Sequence, residues 1–525
     1  MPRRLAILWL LFLARGVYYC ATLPLWEGWD EYAHFAYLEH ATHTFALPRF
    51  DTPISREIDE SMRLTPLADE LRWIGPPYLT HPQFHALPPA EQAARLSRLA
   101  AIPPAWAEQN AAHPFVFYEA QQPPLYYWLL ALPLRMMRAW RLETRVIAMR
   151  MLSMALASFA VPLTFFSART RLDEPRAFCA AALLAAAPGF AIDVSRVAND
   201  ALAIPLAALL CYLVMTNASW PKRGLVTGAG LLAKPYFLAF IVFGPWPAAV
   251  VALASAGWWY AHNVALGYSF SGWQDQAPLS RLFAAVMLVN WPDAARVTAK
   301  SFFWFGAWSF LTLKSWIYTL INGVSAVAAV PAFRKDLLIP WLFIAAVFAE
   351  MAYGVLNYQA THGIGSLPGW YAWVAGSMLA MVLAAGLGRA APALIAALAV
   401  IDIYGATLLA RHYHEGMVWI CLIPLDLALL WLVAAGRSPQ PGWKQLLKII
   451  SGKSRRLRRR RGMRRIGGLY RLTITSRRLS LVRKNLTDSN RPKSFSRFRL
   501  LKTWPDGRMP RSVRRSVLLS TSRNA

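Results

Sequence analysis

PRRLAILWLLFLARGVYYCATLPLWEGWDEYAHF, residues 2–35, decides the fold. Arg3 and Arg4 stand before an apolar run at 5–25, close to the ~20 residues a helix needs to cross hydrocarbon. The run ends without a small-x-small cleavage site, so it predicts a retained first helix and not a removed signal peptide. By the positive-inside rule the two arginines keep the N-terminus in the cytoplasm, and the helix delivers Trp26 to the outer interface.

Outward from that helix the pattern repeats. Runs at 146–167, 178–192 and 370–387 carry few charges, and passages near 201–215, 316–333, 337–356, 391–409 and 418–435 follow the same rule. A chain with 56% apolar side chains and 23 tryptophans has the bilayer as its solvent, and closed β-barrels have no such continuous runs. The expected class is an all-α polytopic membrane protein with about ten to thirteen transmembrane helices. Segment 224–260 allows two routes, one broken passage or a hairpin plus a passage, because Lys234-Pro235 interrupts it. Lys234 itself is expected towards the cytoplasmic side.

The net charge of +29 resolves once it is located along the chain. After Gly436 there are 27 Lys or Arg against Asp488 and Asp506, while residues 1–436 hold 29 basic and 25 acidic side chains. The body 1–436 is therefore the membrane domain. The tail 437–525 is too basic to fold by hydrophobic burial and is expected to be disordered and cytoplasmic. Its run Arg455-Arg456-Leu457-Arg458-Arg459-Arg460-Arg461 suits anionic headgroups at ~1 kcal/mol per basic residue. An extension without function is the plainer reading; no nucleic acid is expected as a partner. Cys20, Cys179, Cys211 and Cys421 lie in apolar segments without metal-ligand spacing and are expected as buried helix residues.

Residues 27–122 are polar, proline-rich and free of a spanning run, which predicts a large extracytoplasmic first loop bearing short interfacial helices. A second outer, interfacial loop is expected over 263–312, where tryptophans gather. Acidic residues are scarce in the body, yet Glu27, Asp30 and Glu31 cluster where the first helix meets the outer interface. Asp30 and His34 are four apart and would share a helix face, able to act on one substrate proton. A second feature is Tyr118-Glu119-Ala120-Gln121-Gln122-Pro123-Pro124-Leu125-Tyr126-Tyr127, a carboxylate ahead of a rigid Pro-Pro entry into an apolar segment. Taken singly, these read as a solvated helix cap and a loop-to-membrane junction.

Together, in this order, they resemble the GT-C glycosyltransferase superfamily, which includes protein mannosyltransferases and the lipid A aminoarabinose transferase. Further matches are Arg150-Met151-Leu152-Ser153, Ser195-Arg196-Val197-Ala198-Asn199-Asp200, Leu231-Leu232-Ala233-Lys234-Pro235, Gly257-Trp258-Trp259-Tyr260-Ala261-His262-Asn263 and Ser301-Phe302-Phe303-Trp304-Phe305-Gly306. The resemblance spans roughly 5–387. This chain departs from many relatives in having Gln122 where they carry histidine before Pro-Pro, and His262-Asn263 in place of a basic-aromatic-Asn pattern.

The resemblance implies an inverting transfer, hexosyl or mannosyl in type, from a polyprenyl-phosphate sugar to a protein, lipid or glycan acceptor on the extracytoplasmic face of a bacterial inner membrane. It implies Asp30 as general base, with Glu31 or Glu119 orienting the acceptor or stabilising positive charge on the sugar. Substrate contacts would come from His34, Gln122, Tyr126, Arg150, Arg196, Asn199, Asp200, Lys234, His262 and Asn263. No cofactor is expected. Some branches of the superfamily use a divalent metal, but His34, His81, His85, His113 and His362 have no metal-motif spacing, and His81 with His85 reads as an exposed loop pair. The competing classes are a permease, for which Asp193, Glu350, Asp402 and Asp426 would be the intramembrane acids, and a non-catalytic protein of the same fold.

Overall fold

The computed structural model of the protein describes residues 2–435 apart from 45, 113–116 and 274; the basic tail lies outside the described residues. The described chain is a helical membrane protein. Its strands amount to one short parallel pair, Pro66–Leu67 with Leu79–Thr80, inside the first loop. Five helical stretches are long and apolar enough to cross a membrane: Pro2–Thr22 (α1), Leu142–Arg169, Lys335–His362, Gly369–His412 and Met417–Ala435. The pair Glu174–Ala186 and Pro188–Val194, bent by 59°, makes a sixth.

Ten to thirteen full-length passages are therefore more than the described helices supply on length and composition. The difference has a local cause. Asp200–Met215, Leu279–Leu288 and Ser315–Ala329 are apolar but short, and the long Gly369–His412 stretch is divided at Gly388, whose φ of +52° ends one helix before the next begins. Proline and glycine cut the apolar sequence into shorter pieces than hydropathy alone suggests.

Residues 224–260 take neither of the two routes the sequence left open. Helices Trp220–Leu231 and Trp246–Ala265 lie side by side and run the same way, since Gly224 abuts Ala248 and Val251 while Gly228 abuts Ala252 and Ser255. The 3-10 turns Pro235–Leu238 and Ile241–Phe243 carry the chain back between them. Lys234 consequently sits where the first of these helices ends, beside Asp200, and not at the far end expected from charge bias.

Within 27–122 the chain forms α2 (Glu31–Thr44), α3 (Arg56–Leu64), His81–His85 and Pro89–Ala100, none of spanning length. Residues 263–312 hold Leu279–Leu288 and Trp291–Phe303, short helices with exposed apolar side chains such as Phe283 and Met287 on the former. Three cysteines are buried as expected; Cys421 is exposed, because an apolar side chain on a helix of this kind can face lipid as well as protein.

Buried charge knits the helices. Arg15 of α1 pairs with Asp402 at 2.8 Å and with Asp426 at 3.4 Å, and the Tyr19 hydroxyl donates to Asp402. Two of the acids that a permease would need are thus held by one guanidinium on the first helix. In such surroundings an isolated charge is expensive and a paired one is retained.

Candidate functional site

The site forms where α1 gives way to α2. Trp29 and Asp30 precede the first turn of α2, and Asp30 has φ +52°, a left-handed conformation that costs a non-glycine residue strain and is found at functional positions. Gly28 makes room for this turn: a Cβ there would lie 2.7 Å from the Cβ of Arg196. Because Asp30 stands outside the helix as its cap, the shared-face spacing with His34 does not apply. The His34 backbone N–H donates to the Asp30 carbonyl, while its ring Nδ1 lies 2.7 Å from the Tyr127 hydroxyl. The expected joint action of Asp30 and His34 side chains on one proton is replaced by separate partners.

Asp30 is met by the 118–122 turn. The Tyr118 hydroxyl donates to its carboxylate at 2.6 Å, and Glu119 follows directly in sequence. Asp30 keeps partial exposure, whereas Glu119 is 5% exposed with Oε2 unpartnered. Burial raises the Asp30 pKa, opposed by the Tyr118 hydrogen bond and the charges of Arg196 and Lys234. Burial, and then the charge of Asp30, pushes Glu119 well above the usual carboxylate range. The two acids share an environment that favours one ionised and one neutral member. His34 is held well below its usual pKa by burial, then by Arg196 and Lys234, so its ring is neutral.

Two cations, Arg196 and Lys234, lie near enough to act on both acids. The bend at Pro188 brings 193–200 to the site. Arg196 donates to Asp193, Asp200 and the Trp29 carbonyl, and its guanidinium lies over the Trp29 ring. Lys234 pairs with Asp200 and stands 5.8 Å from the ring centres of both Tyr236 and Tyr371. Arg196 has placed most of its five N–H donors within the protein, whereas Lys234, with three donors, makes one hydrogen bond among the described residues. Asn199 donates to Gln122 Oε1 at 2.9 Å and to the Ala233 carbonyl at 3.0 Å, and Asn263 donates to the Gln121 carbonyl. The Asn199 Oδ1, Gln121 Oε1 and Asp193 Oδ2 atoms are buried and unpartnered. Unmatched acceptors of this kind are rare in a finished interior and mark a surface awaiting a partner.

Several expected contacts lie elsewhere. Glu31 is fully buried against Arg150, whose Nε and Nη2 donate to its two oxygens, while the Val197 N–H donates to Oε1. Arg150 spends its remaining donors on the carbonyls of Cys20, Leu23 and Pro24. Both side chains are saturated, so Glu31 is corrected from a reacting group, and Arg150 from a substrate ligand, to a joint between α1, α2 and Leu142–Ser158. Tyr126 has its hydroxyl on Ser153 at 2.6 Å. His262 makes no side-chain hydrogen bond to the cluster among the described residues.

Glu27 is also occupied: the Ser309 N–H and the Tyr413 hydroxyl both donate to Oε1, and His81 Nε2 lies 3.2 Å from Oε2. His81, expected exposed, is 1% exposed because that buried carboxylate binds it; His85 is half-buried, its ring tilted against that of His414 with centres 4.0 Å apart. Sequence reasoning missed Tyr118, Asp193, Tyr236 and Tyr371 as neighbours of the acids. Tyr118 had a signal, since it abuts Glu119, but Asp193 and Tyr236 become neighbours through the bend at Pro188 and the return after Lys234, and Tyr371 through the packing of Gly369–Ala375 on Asp200–Met215. Among the described residues, no group of three or more His, Cys, Asp or Glu side chains is arranged to hold a metal ion.

No family model matches the chain, and no curated protein sequence matches it. Among solved structures it is similar to the crystal structure of ArnT from Cupriavidus metallidurans bound to undecaprenyl phosphate, at 13% identity and a TM-score of 0.35, over 61% of this chain and 68% of that one. A likeness at this level carries no chemistry across. What this chain itself establishes is a polytopic helical membrane protein with a buried, partly unsatisfied acid–cation cluster at one end of its first helix.

Proposed function

We propose that the protein is a membrane glycosyltransferase that moves a sugar from a polyprenyl-phosphate donor to an acceptor hydroxyl or amine at the extracytoplasmic face, with inversion. Asp30 is the base: as the acceptor oxygen or nitrogen attacks the anomeric carbon, its proton passes to the Asp30 carboxylate and the bond from that carbon to the phosphate oxygen breaks. The electron pair leaves with the polyprenyl phosphate. Lys234, with donors to spare beside Asp200, is the group for that phosphate, while Arg196 holds Trp29, Asp193 and Asp200 in place. Glu119, kept neutral beside an ionised Asp30, serves as a hydrogen-bond donor to acceptor or sugar. Tyr236 and Tyr371 flank the ammonium and offer faces to a sugar ring.

The single observation that carries this proposal is the opposition of a partly exposed, strained Asp30 to a buried Lys234 that is not fully hydrogen-bonded. A permease is less well served at Asp402, which is held by Arg15 and the Tyr19 hydroxyl. The test is transfer of labelled sugar from a panel of polyprenyl-phosphate donors by membranes containing the intact chain, beside Asp30→Asn membranes of equal protein content. The expected result is transfer by the first and its loss by the second. Undiminished transfer by Asp30→Asn would move the base to Glu119, and absence of transfer from every donor and acceptor extract would end the proposal.

A further inference from the structure

Six non-glycine residues among the described residues have positive φ: Trp26 (+65°), Asp30 (+52°), Asn217 (+51°), Ala307 (+54°), Phe310 (+50°) and His414 (+55°). Asn217 lies in a turn and is a residue type that tolerates this conformation, whereas Trp26, Ala307 and Phe310 have no such preference. The five other than Asn217 fall in three segments far apart in the chain, at 26–30, 307–310 and 414. Those segments meet at one side chain, Glu27, which is fully buried. Its Oε1 accepts at 2.8 Å from the Ser309 N–H, between Ala307 and Phe310, and at 2.7 Å from the hydroxyl of Tyr413, the neighbour of His414. His81 Nε2 lies 3.2 Å from Oε2, and the Trp308 N–H donates to the Glu27 carbonyl at 3.1 Å.

A left-handed backbone at a residue with a Cβ persists only where surrounding contacts impose it. Trp26 and Asp30 stand on either side of Glu27, so the bonds to its carboxylate and carbonyl hold the first end of the Asp30 turn. Further along, Arg196 donates to the Trp29 carbonyl, the Trp29 ring packs on Phe305 with centres 4.1 Å apart, and the Tyr118 hydroxyl closes on the Asp30 carboxylate. Both Glu27 oxygens are engaged and the side chain is shut from solvent, so it has no place in the chemistry itself. What it governs is where the Asp30 carboxylate stands.

We propose that Glu27 is a positioning residue for Asp30: its carboxylate ties three strained turns together, and its release lets Asp30 relax away from Tyr118. The inference rests on transfer with Asp30 as base, and it links the geometry of that base to Tyr413, 386 residues from Glu27. A joint that only held helices together would change stability and leave the reaction alone.

The experiment compares the full chain with Tyr413→Phe, Glu27→Gln and Glu27→Ala in lipid nanodiscs. It reads transfer kinetics with the donor the parent uses, and hydrogen–deuterium exchange over 27–34, where the Glu31, Ala33 and His34 N–H groups bond within the turn. Tyr413→Phe keeps the ring that packs on His81 and removes only the hydroxyl. Its kcat is expected to fall about fivefold at a KM within about twofold of the parent, and exchange over 27–34 to quicken about tenfold. Glu27→Gln, whose amide oxygen still accepts from Ser309 and Tyr413, should stay within about threefold of the parent, and Glu27→Ala should lose about 10²-fold. The reading specific to positioning is the acid limb of kcat/KM. The Tyr118 bond lowers the Asp30 pKa, so an Asp30 that has swung away loses activity at higher pH, and adding Tyr118→Phe to Tyr413→Phe shifts the limb no further. The proposal is overturned if the variants lower the unfolding temperature while kcat and the acid limb stay with the parent, or if exchange over 27–34 is unchanged. It is overturned too if a folded Glu27→Gln is as inactive as Glu27→Ala, which would make the charge and not the hold the requirement. A parent that transfers no sugar from any donor would end the glycosyltransferase reading and the catalytic half of this one, and exchange over 27–34 in Tyr413→Phe would then decide the hold by itself.

Discussion

Asp30 and Glu31 are adjacent in sequence, yet they belong to two regions built on opposite principles. Around Glu31 every charge is answered: Arg150 covers both carboxylate oxygens, a backbone N–H adds a third bond, and three carbonyls take the other guanidinium donors. Around Asp30 the account is left open, with unpartnered oxygens on Glu119, Asp193, Gln121 and Asn199, and an ammonium with donors unassigned. Burial alone does not separate a structural charge from a chemical one. The distinction lies in whether the hydrogen-bonding capacity of the group has been used up, because a saturated pair has nothing left for a substrate while an unsaturated one costs stability until a ligand arrives.

That contrast can be broken most decisively at Asp30. Asn in its place is expected to lower sugar transfer by about 10²–10⁴-fold, the usual worth of a general base, with the thermal unfolding midpoint of the purified protein unchanged. A comparable fall in stability would move Asp30 into the structural class.

The reverse is expected for Glu31→Ala, which leaves Arg150 buried without its acid. Unfolding should become easier by ~3–5 kcal/mol, and replacing both partners with apolar residues of similar size should restore most of it. Stability assays in detergent read this directly, and a Glu31→Ala protein that is fully stable but inactive would return Glu31 to the reacting groups.

The acid side of the pH profile sharpens the comparison within the site. Asp30 acts as a base only when ionised, and its pKa is raised, so transfer is present above that pKa and lost as pH falls through it, above the usual carboxylate value near ~4. Tyr118→Phe removes a bond to the carboxylate and should shift this limb to higher pH, while Glu119→Gln replaces a neutral acid with a neutral amide and should leave it in place. A limb that moves up in Tyr118→Phe and stays in place in Glu119→Gln is the signature in kcat/KM profiles; a downward shift in Glu119→Gln would show Glu119 ionised beside Asp30 and refute its neutral role.

The smallest effect is expected for His262→Ala, within about twofold of the parent in transfer, since its ring makes no hydrogen bond to the cluster among the described residues. Asn263→Ala, which loses the bond to the Gln121 carbonyl, should cost about 1 kcal/mol, some fivefold, in the same assay.

The sequence alone determined the solvent and the class. Apolar runs of spanning length have few folded solutions, so a helical membrane protein with a polar loop after its first helix could be read from residues 2–122. It also brought Asp30, Glu119, Arg196, Asp200 and Lys234 into one candidate set, because polar residues are few in such a chain and stand out. Only the tertiary structure decided which of them remain free. Glu31 meets Arg150 across 119 residues and Arg15 meets Asp402 across 387, and nothing local in the sequence encodes those pairings. Lys234 was assigned to the wrong end because charge bias counts passages, whereas its position follows from two helices running the same way with a non-helical return between them. Local composition fixes what a segment must be buried in; which charge finds which partner depends on packing between helices far apart in the chain.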